Sequence, residues 1–130
     1  MQGDPTAHAE MLCLRSGAAA VGWQELRDAT LYVTLEPCPM CAGAVLQSRV
    51  GTLVYGAANT LLGADGSWVN LLRHGGAGGL RPHAFHPSMR IRHGVLAEES
   101  SALMKNFFKQ MRNNDAQHQH NTKRGDGEDS

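Results

Sequence analysis

His8, Glu10, Cys38 and Cys41 are the residues of this sequence whose types and spacing could do chemistry. One imidazole and two thiolates make a three-donor set that suits zinc. They leave a fourth position for water, whose pKa such an ion lowers towards neutrality. Cys38 and Cys41 stand three apart in the run Pro37-Cys38-Pro39-Met40-Cys41. On a helix that spacing projects both side chains from one face, within reach of one metal ion. A helix beginning here would also stabilise both thiolates, because its dipole and free N–H groups favour negative charge, and Pro37 is tolerated at such a start. Glu10 follows His8 by two residues, near enough to share the site yet turned round the helix from the ligand position. A carboxylate so placed could take a proton from activated water and return it to a reacting group.

Either half alone would be weak. A lone C-x-x-C is more often a structural zinc half-site or a redox pair, and a lone H-x-E is common by chance. Together, about thirty residues apart on two helix starts separated by a strand, they point to one catalytic centre. Cys13 has nothing at ligand spacing and reads as a buried small hydrophobe instead of a fourth ligand. His83 and His86 lie in a Pro-containing stretch and read as solvated loop histidines, not as a second metal site.

The elements that must position these residues follow from periodicity and punctuation. Asp4-Pro5-Thr6 reads as a helix start, and Ala9, Leu12 and Cys13 recur at helical spacing towards Gly17 and Gly22, so the first helix should hold His8 and Glu10. Residues 31–35 are β-rich and short, suiting a buried strand that runs straight into Pro37 and a second helix over residues 38–47. Residues 52–55 form the next strand, and the alternation predicts parallel neighbours in a layered α/β fold. A loop over residues 57–66 should lead to a short helical piece at residues 68–72. Residues 75–82 are glycine-rich and read as a surface linker. Residues 89–95 suit a strand near a sheet edge. Leu103, Phe107 and Met111 mark a last helix over residues 98–111. The domain is thus expected over residues 1–112, with residues 113–130 a disordered polar tail lacking apolar periodicity.

The chain has 130 residues, 42% of them hydrophobic and 18% charged, an ordinary balance for one globular domain. Twelve basic residues balance twelve acidic ones, which argues against gripping nucleic acid by bulk charge alone. The distribution is uneven. Residues 73–112 hold seven basic side chains against Glu98 and Glu99, so a polyanion would be met there. Three cysteines, two at ligand spacing, are no disulfide framework and fit a reducing compartment. No apolar run nears the roughly 20 residues that span a bilayer, so no membrane role is expected.

Asp4-Pro5-Thr6-Ala7-His8-Ala9-Glu10 and Leu35-Glu36-Pro37-Cys38-Pro39-Met40-Cys41-Ala42-Gly43-Ala44 closely resemble the TadA-type tRNA adenosine deaminases. The similarity continues through Ser48-Arg49-Val50, Val54-Tyr55-Gly56-Ala57, Gly94-Val95-Leu96 and Phe107-Phe108. It implies zinc-dependent hydrolysis of the wobble adenosine of a tRNA anticodon to inosine, on a three-layer α/β/α cytidine-deaminase-like fold, as a homodimer. On matching positions it makes His8, Cys38 and Cys41 the zinc ligands and Glu10 the proton shuttle. Ala7 and the Cys38 amide would lie beside the flipped base, and Asn59 is a weaker candidate for RNA contact. Asp65-Gly66-Ser67-Trp68 and Phe85-His86-Pro87 look like the plant chloroplast branch, for which an arginine tRNA and the chloroplast are expected, with the cytoplasm as the alternative compartment.

The family's domain normally begins with a helix and a strand hairpin upstream of the position of Asp4, a segment lacking here, so residues 31–35 should form an open sheet edge. The isolated chain is accordingly expected to be a fragment of low solubility or marginal stability, and it could be inactive. The rival activity is deamination of free guanine or cytosine, since some guanine deaminases share the Asp-Pro-Thr-Ala-His-Ala-Glu start. A non-catalytic zinc-binding subunit is a further class, against which the presence of Glu10 counts.

Overall fold

A computed structural model describes residues 3–74 and 81–125 of the chain. In chain order the elements are α1 (Ala9–Val21), a 3-10 turn (Trp23–Asp28), β1 (Thr30–Leu35), α2 (Pro39–Ser48), β2 (Thr52–Ala57), β3 (Arg73–His74), β4 (Arg81–Pro82), β5 (Arg90–Arg92) and α3 (Ala97–Gly125). The β-branched and aliphatic alternation of residues 31–35 gives β1 its extended form, with Leu31 buried and Tyr32 turned outward at 74% exposure. β1 pairs in parallel with β2, Leu31 opposite Leu53 and Val33 opposite Tyr55. β2 pairs in parallel with β5, Leu53 opposite Ile91. The order β1-β2-β5 puts β2 in the centre and leaves β1 as an edge among the described residues, as the sequence predicts. β3 and β4 form a separate antiparallel pair.

The two faces of the sheet are covered by different helices. Leu31, Leu53 and Tyr55 join Leu14 and Ala18 of α1 and Ala42, Val45 and Leu46 of α2 in one buried cluster. Gly56 points to the other face, where a Cβ would come within 2.5 Å of Ser100 Oγ on α3 and 2.9 Å of the Thr34 and Val95 carbonyl oxygens. The result is an α/β/α layering of the cytidine-deaminase-like kind. Leu53, fully buried in the central strand, sits at the middle of the core.

Several expected boundaries move. α1 begins at Ala9, not at Thr6. His8 occupies its N-cap position, because Asp4 Oδ1 instead accepts the Thr6 N–H at 2.8 Å and the Thr6 hydroxyl at 2.7 Å, closing a turn ahead of the helix. That short contact, through the side-chain bond first and the backbone bond second, holds the Asp4 carboxyl below its ordinary pKa. No helix forms at residues 68–72. Asp65 and Asn70 make an isolated antiparallel bridge, and Asn70 Oδ1 accepts the Arg73 N–H at 3.2 Å, a local bond that competes with helix formation. Of the linker expected at residues 75–82, positions 75–80 lie outside the described residues, and Arg81–Pro82 is β4. The strand expected over residues 89–95 is confined to Arg90–Arg92 at the sheet edge.

The tail expected to lack regular structure from residue 113 is instead a continuation of α3 to Gly125, with residues 113–120 exposed. That stretch holds no proline and no glycine before Gly125, so nothing in it breaks the helix, although nothing apolar anchors it either. Positions 126–130 lie outside the described residues.

The contact of Gly56 with α3 gives a paired test. Gly56→Ala should lower the unfolding free energy by about 1–3 kcal/mol, because the methyl collides with α3 and two carbonyls. Gly43→Ala, inside α2 with nothing within 4 Å of the new Cβ, should raise it by about 0.4–1 kcal/mol. Urea denaturation followed by circular dichroism measures both, and equal effects would refute the packing assigned to Gly56.

Candidate active site

At the C-terminal end of β1 the chain passes through Glu36 and Pro37 and turns into α2, with Cys38 as the N-cap residue. His8 is the N-cap of α1. Neither side chain caps its own helix. A missing side-chain cap costs a helix about 1 kcal/mol, and here both groups are turned towards each other instead. His8 Nδ1 lies 3.5 Å from Cys38 Sγ and 3.4 Å from Cys41 Sγ, and the three donor atoms are mutually within 4.8 Å. Zinc sites with Zn–N near 2.0 Å and Zn–S near 2.3 Å separate adjacent tetrahedral ligand atoms by roughly 3.5 Å. The imidazole and thiol donors therefore fit a tetrahedral metal ion with one position left over.

Cys41 is fully buried, Cys38 half-buried and His8 exposed, so the cluster is approached from the His8 side. Glu10, half-buried in the first turn of α1, accepts a hydrogen bond from the Cys41 thiol through Oε2 at 3.5 Å. Burial first, and the neighbouring Glu10 carboxylate second, push the Cys41 thiol well above the usual thiol range. A bound cation reverses that preference, since a coordinating thiol is deprotonated.

The structure thus brings His8, Glu10, Cys38 and Cys41 together. Ala7 adjoins His8, half-buried, with its N–H donating to the Asp4 carbonyl at 3.1 Å. Asn59 stands on the loop after β2. Its Oδ1 accepts the Leu62 N–H at 3.1 Å, and its own N–H donates to Glu36 Oε1 at 3.3 Å, bonds that tie it to its own loop and to Glu36.

Glu36 is the positioning residue that sequence reasoning passed over. It is 2% exposed. Its carboxylate accepts the N–H groups of Asn59, Asp65 (2.9 Å) and Ser67 (3.3 Å), and the Ser67 hydroxyl. Its own N–H donates to the Ala57 carbonyl at 2.8 Å, while the Ala64 N–H donates to the Pro37 carbonyl at 2.8 Å. The loop over residues 59–67 is thereby clamped to the segment that delivers Cys38. A Cβ at Gly63 would strike this carboxylate. The available signal was a lone acid at the end of an apolar strand, two residues before Cys38.

The clamp continues outward. Asp65 accepts the Tyr55 hydroxyl at 2.5 Å and is held bidentately by Arg73 at 2.8 and 3.0 Å. Burial, then the bond to Asp65, raises the Tyr55 phenol far above its normal range. The Asp65 bond likewise raises Arg73. Arg73, counted above among the basic side chains open to a polyanion, is therefore spent on an internal ion pair.

Two other expectations are corrected. Cys13 is exposed, because helical rotation from buried Leu14 turns it outward. His86 is 6% exposed and not solvated, its Nε2 bonded to the Val50 carbonyl at 2.7 Å, while His83 is half-buried and accepts the Phe85 N–H at 3.0 Å.

A family model for MafB19-like deaminases matches residues 1–112. The chain is 56% identical over 113 residues to the chloroplastic tRNA(adenine(34)) deaminase of Arabidopsis thaliana, a match covering 81% of this chain and 9% of that protein. It is 43% identical over 112 residues to the tRNA-specific adenosine deaminase of Haemophilus influenzae, covering 86% of this chain and 60% of that one. A solved structure from biochemical and structural studies of A-to-I editing by tRNA:A34 deaminases at the wobble position of transfer RNA is 36% identical. It superposes with a TM-score of 0.59 and covers 76% of this chain and 66% of that chain. The chain thus spans 60% or less of the length of both curated relatives. With the family model matched across the helices and strands that build the His8, Cys38 and Cys41 cluster, the chain belongs to the MafB19-like deaminase family, within the cytidine-deaminase superfamily.

Proposed function

We propose that this chain carries the catalytic centre of a zinc-dependent tRNA adenosine deaminase, which hydrolyses the wobble adenosine of an anticodon to inosine and releases ammonia. The observation that carries it is the convergence of His8 Nδ1, Cys38 Sγ and Cys41 Sγ, with Glu10 Oε2 at 3.5 Å from Cys41 Sγ. His8, Cys38 and Cys41 hold the zinc ion, and when bound it supplies Lewis-acid activation of water at neutral pH. Glu10 does the proton work. Its carboxylate accepts one proton from the attacking water and passes it to the ring nitrogen beside the reacting carbon. It then takes the second proton from the oxygen now bonded to that carbon and hands it to the amine, which departs as ammonia while the carbonyl forms. Ala7 and the backbone amide of Cys38 flank the base, and Asn59 contacts the RNA from the loop that Glu36 holds.

The substrate class is supported by the similarity to two proteins named tRNA adenosine deaminases. The chloroplast, with an arginine tRNA as substrate, is the setting that the plant-like resemblance favours, and the Arabidopsis relative is described as chloroplastic. No described helix is long and apolar enough to cross a membrane. A homodimer fits the exposed Leu61, Leu62, Trp68 and Leu71. The deaminase domain occupies residues 1–112.

Two measurements test this, and a third tests the clamp at Glu36. Incubation with an arginine-tRNA anticodon stem-loop should yield inosine by mass spectrometry, and conversion of free guanine or cytosine alone would overturn the tRNA assignment. Glu10→Ala should lower turnover by about 10²–10⁴-fold while zinc content measured by elemental analysis stays at the wild-type level; loss of zinc along with turnover would make Glu10 structural. Glu36→Ala, which leaves three backbone donors and a hydroxyl without their acceptor, should destabilise the fold by about 1–3 kcal/mol in urea unfolding.

A further inference from the structure

The parallel sheet has a second end, away from Cys38. Thr30, Thr52 and Arg90 lie in one register row at the starts of β1, β2 and β5. Beneath that row is a cavity of about 370 Å³ lined by Arg27, Arg49, Arg90, Asp28, Ser88 and Thr52 among others. It is at the opposite end of the strands from Cys38. Six residues of β1 at about 3.3 Å each put the two ends roughly 20 Å apart. The volume is at the low end of small-ligand sites, about 300–1,000 Å³.

Arg27, Arg49 and Arg90 line this cavity with one acidic residue, Asp28, and among the described residues none of the three arginines is ion-paired. Arg49 is fixed in place. Its backbone is left-handed (φ 54°) at the end of α2, its guanidinium stacks 4.3 Å from the Phe85 ring centroid, and Nη1 donates to the Phe85 carbonyl at 3.1 Å. Four of its five N–H donors are left over. The opposite wall is fixed too, because a Cβ at Gly51 would collide with the Arg27 carbonyl, so the two backbones touch. His86, bonded to the Val50 carbonyl, also lines the cavity. Arg27 and Arg90 are exposed and Arg49 is half-buried, so like charges that no described ion pair neutralises surround a hollow that an anion can enter. Two net positive charges match a phosphate monoester dianion, and planar guanidiniums with the Ser88 and Thr52 hydroxyls suit its oxygens.

We propose that the Arg27–Arg49–Arg90 cavity is a phosphate-binding site separate from the deamination centre. The phosphate comes either from the backbone of bound RNA or from a free phosphorylated small molecule. The site stands on its own residues and holds whether or not Glu10 deaminates tRNA.

The test titrates inorganic phosphate into the ¹⁵N-labelled chain at constant ionic strength, with chloride as the reference. Saturable amide shifts are expected at residues 27–29, 49–52 and 86–90. Shifts confined to residues 8–10 and 36–41, or equal to those with chloride, would overturn the proposal. The double variant Arg27→Gln/Arg90→Gln should bind phosphate at least tenfold more weakly by calorimetry; unchanged affinity would overturn it, and the wild-type shift map stands if the variant fails to fold. The source follows from anticodon stem-loop binding. A salt slope reduced by about 1–2 in the double variant assigns RNA phosphates, whereas an unchanged slope with lost phosphate binding assigns a free phosphorylated ligand.

Discussion

Parallel pairing of β1 with β2 is the constraint on which the site depends. Two parallel neighbours cannot be joined by a hairpin, so the chain leaving Leu35 must travel the length of the sheet before Thr52 can begin, and α2 is that crossover. Its first turn is therefore fixed at the C-terminal end of β1, and with it Cys38 and Cys41. α1 lies against the same face through Leu14 and Ala18, which share the buried cluster with Val45 and Leu46 of α2. That packing carries His8, at the start of α1, to the thiols. Open α/β sheets place their ligands outside the carboxyl ends of the strands for this topological reason. The cost is visible locally, since both helices forgo a side-chain cap so that His8 and Cys38 can face inward.

What holds the loops around that end is a buried charge. A carboxylate out of water is tolerated only when its oxygens are saturated with donors. Glu36 meets that condition with three backbone N–H groups and the Ser67 hydroxyl. The donors come from the loop after β2, so the requirement of one side chain fixes the path of about nine residues. Asp65 belongs to the same chain of contacts. Its N–H serves Glu36 while its carboxylate serves Tyr55 and Arg73, so the charge of Glu36 is linked through protein groups to a guanidinium near the surface. Networks of this kind rigidify when fully satisfied. No described side-chain polar atom that is buried lacks a partner.

The cluster was legible in the sequence because its signal is chemical: His, Glu and two Cys keep their identities and spacings whatever the backbone does. β1 and β2 were legible as strands because apolar and β-branched residues flanked by turn formers describe a strand directly, but the burial expected of residues 31–35 holds in full only at Leu31, since β1 is an edge. What was missed depends on information that periodicity does not carry. Placing His8 at the cap and not within α1 is set by the Asp4–Thr6 turn, a hydrogen bond between side chain and backbone. Cys13 and His86 were assigned opposite burial because hydrophobic character and loop position are averages, whereas Leu14 claims the inward position on α1 and the Val50 carbonyl claims His86. The helical continuation of α3 past residue 112 is of the same sort. Polarity removes the reason to pack, but it does not remove the ability to hold helical dihedrals.

Neutrality of the whole chain conceals a division of charge along the sheet. Basic residues counted by sequence position, from Arg73 to Arg112, do not form one patch in space. Arg73 turns inward to Asp65, and Arg90 instead joins Arg27 and Arg49, which lie well outside that stretch. The carboxyl end of the sheet holds Glu10, Glu36 and the thiols, while the cavity at the amino end is lined by three arginines and one aspartate. A ligand's phosphate responds to the local potential within about a Debye length, roughly 8–10 Å, and not to the sum over 130 residues. Balanced composition thus supplies no net attraction at long range, so the anion binding proposed at the amino end rests on the local geometry of three arginines.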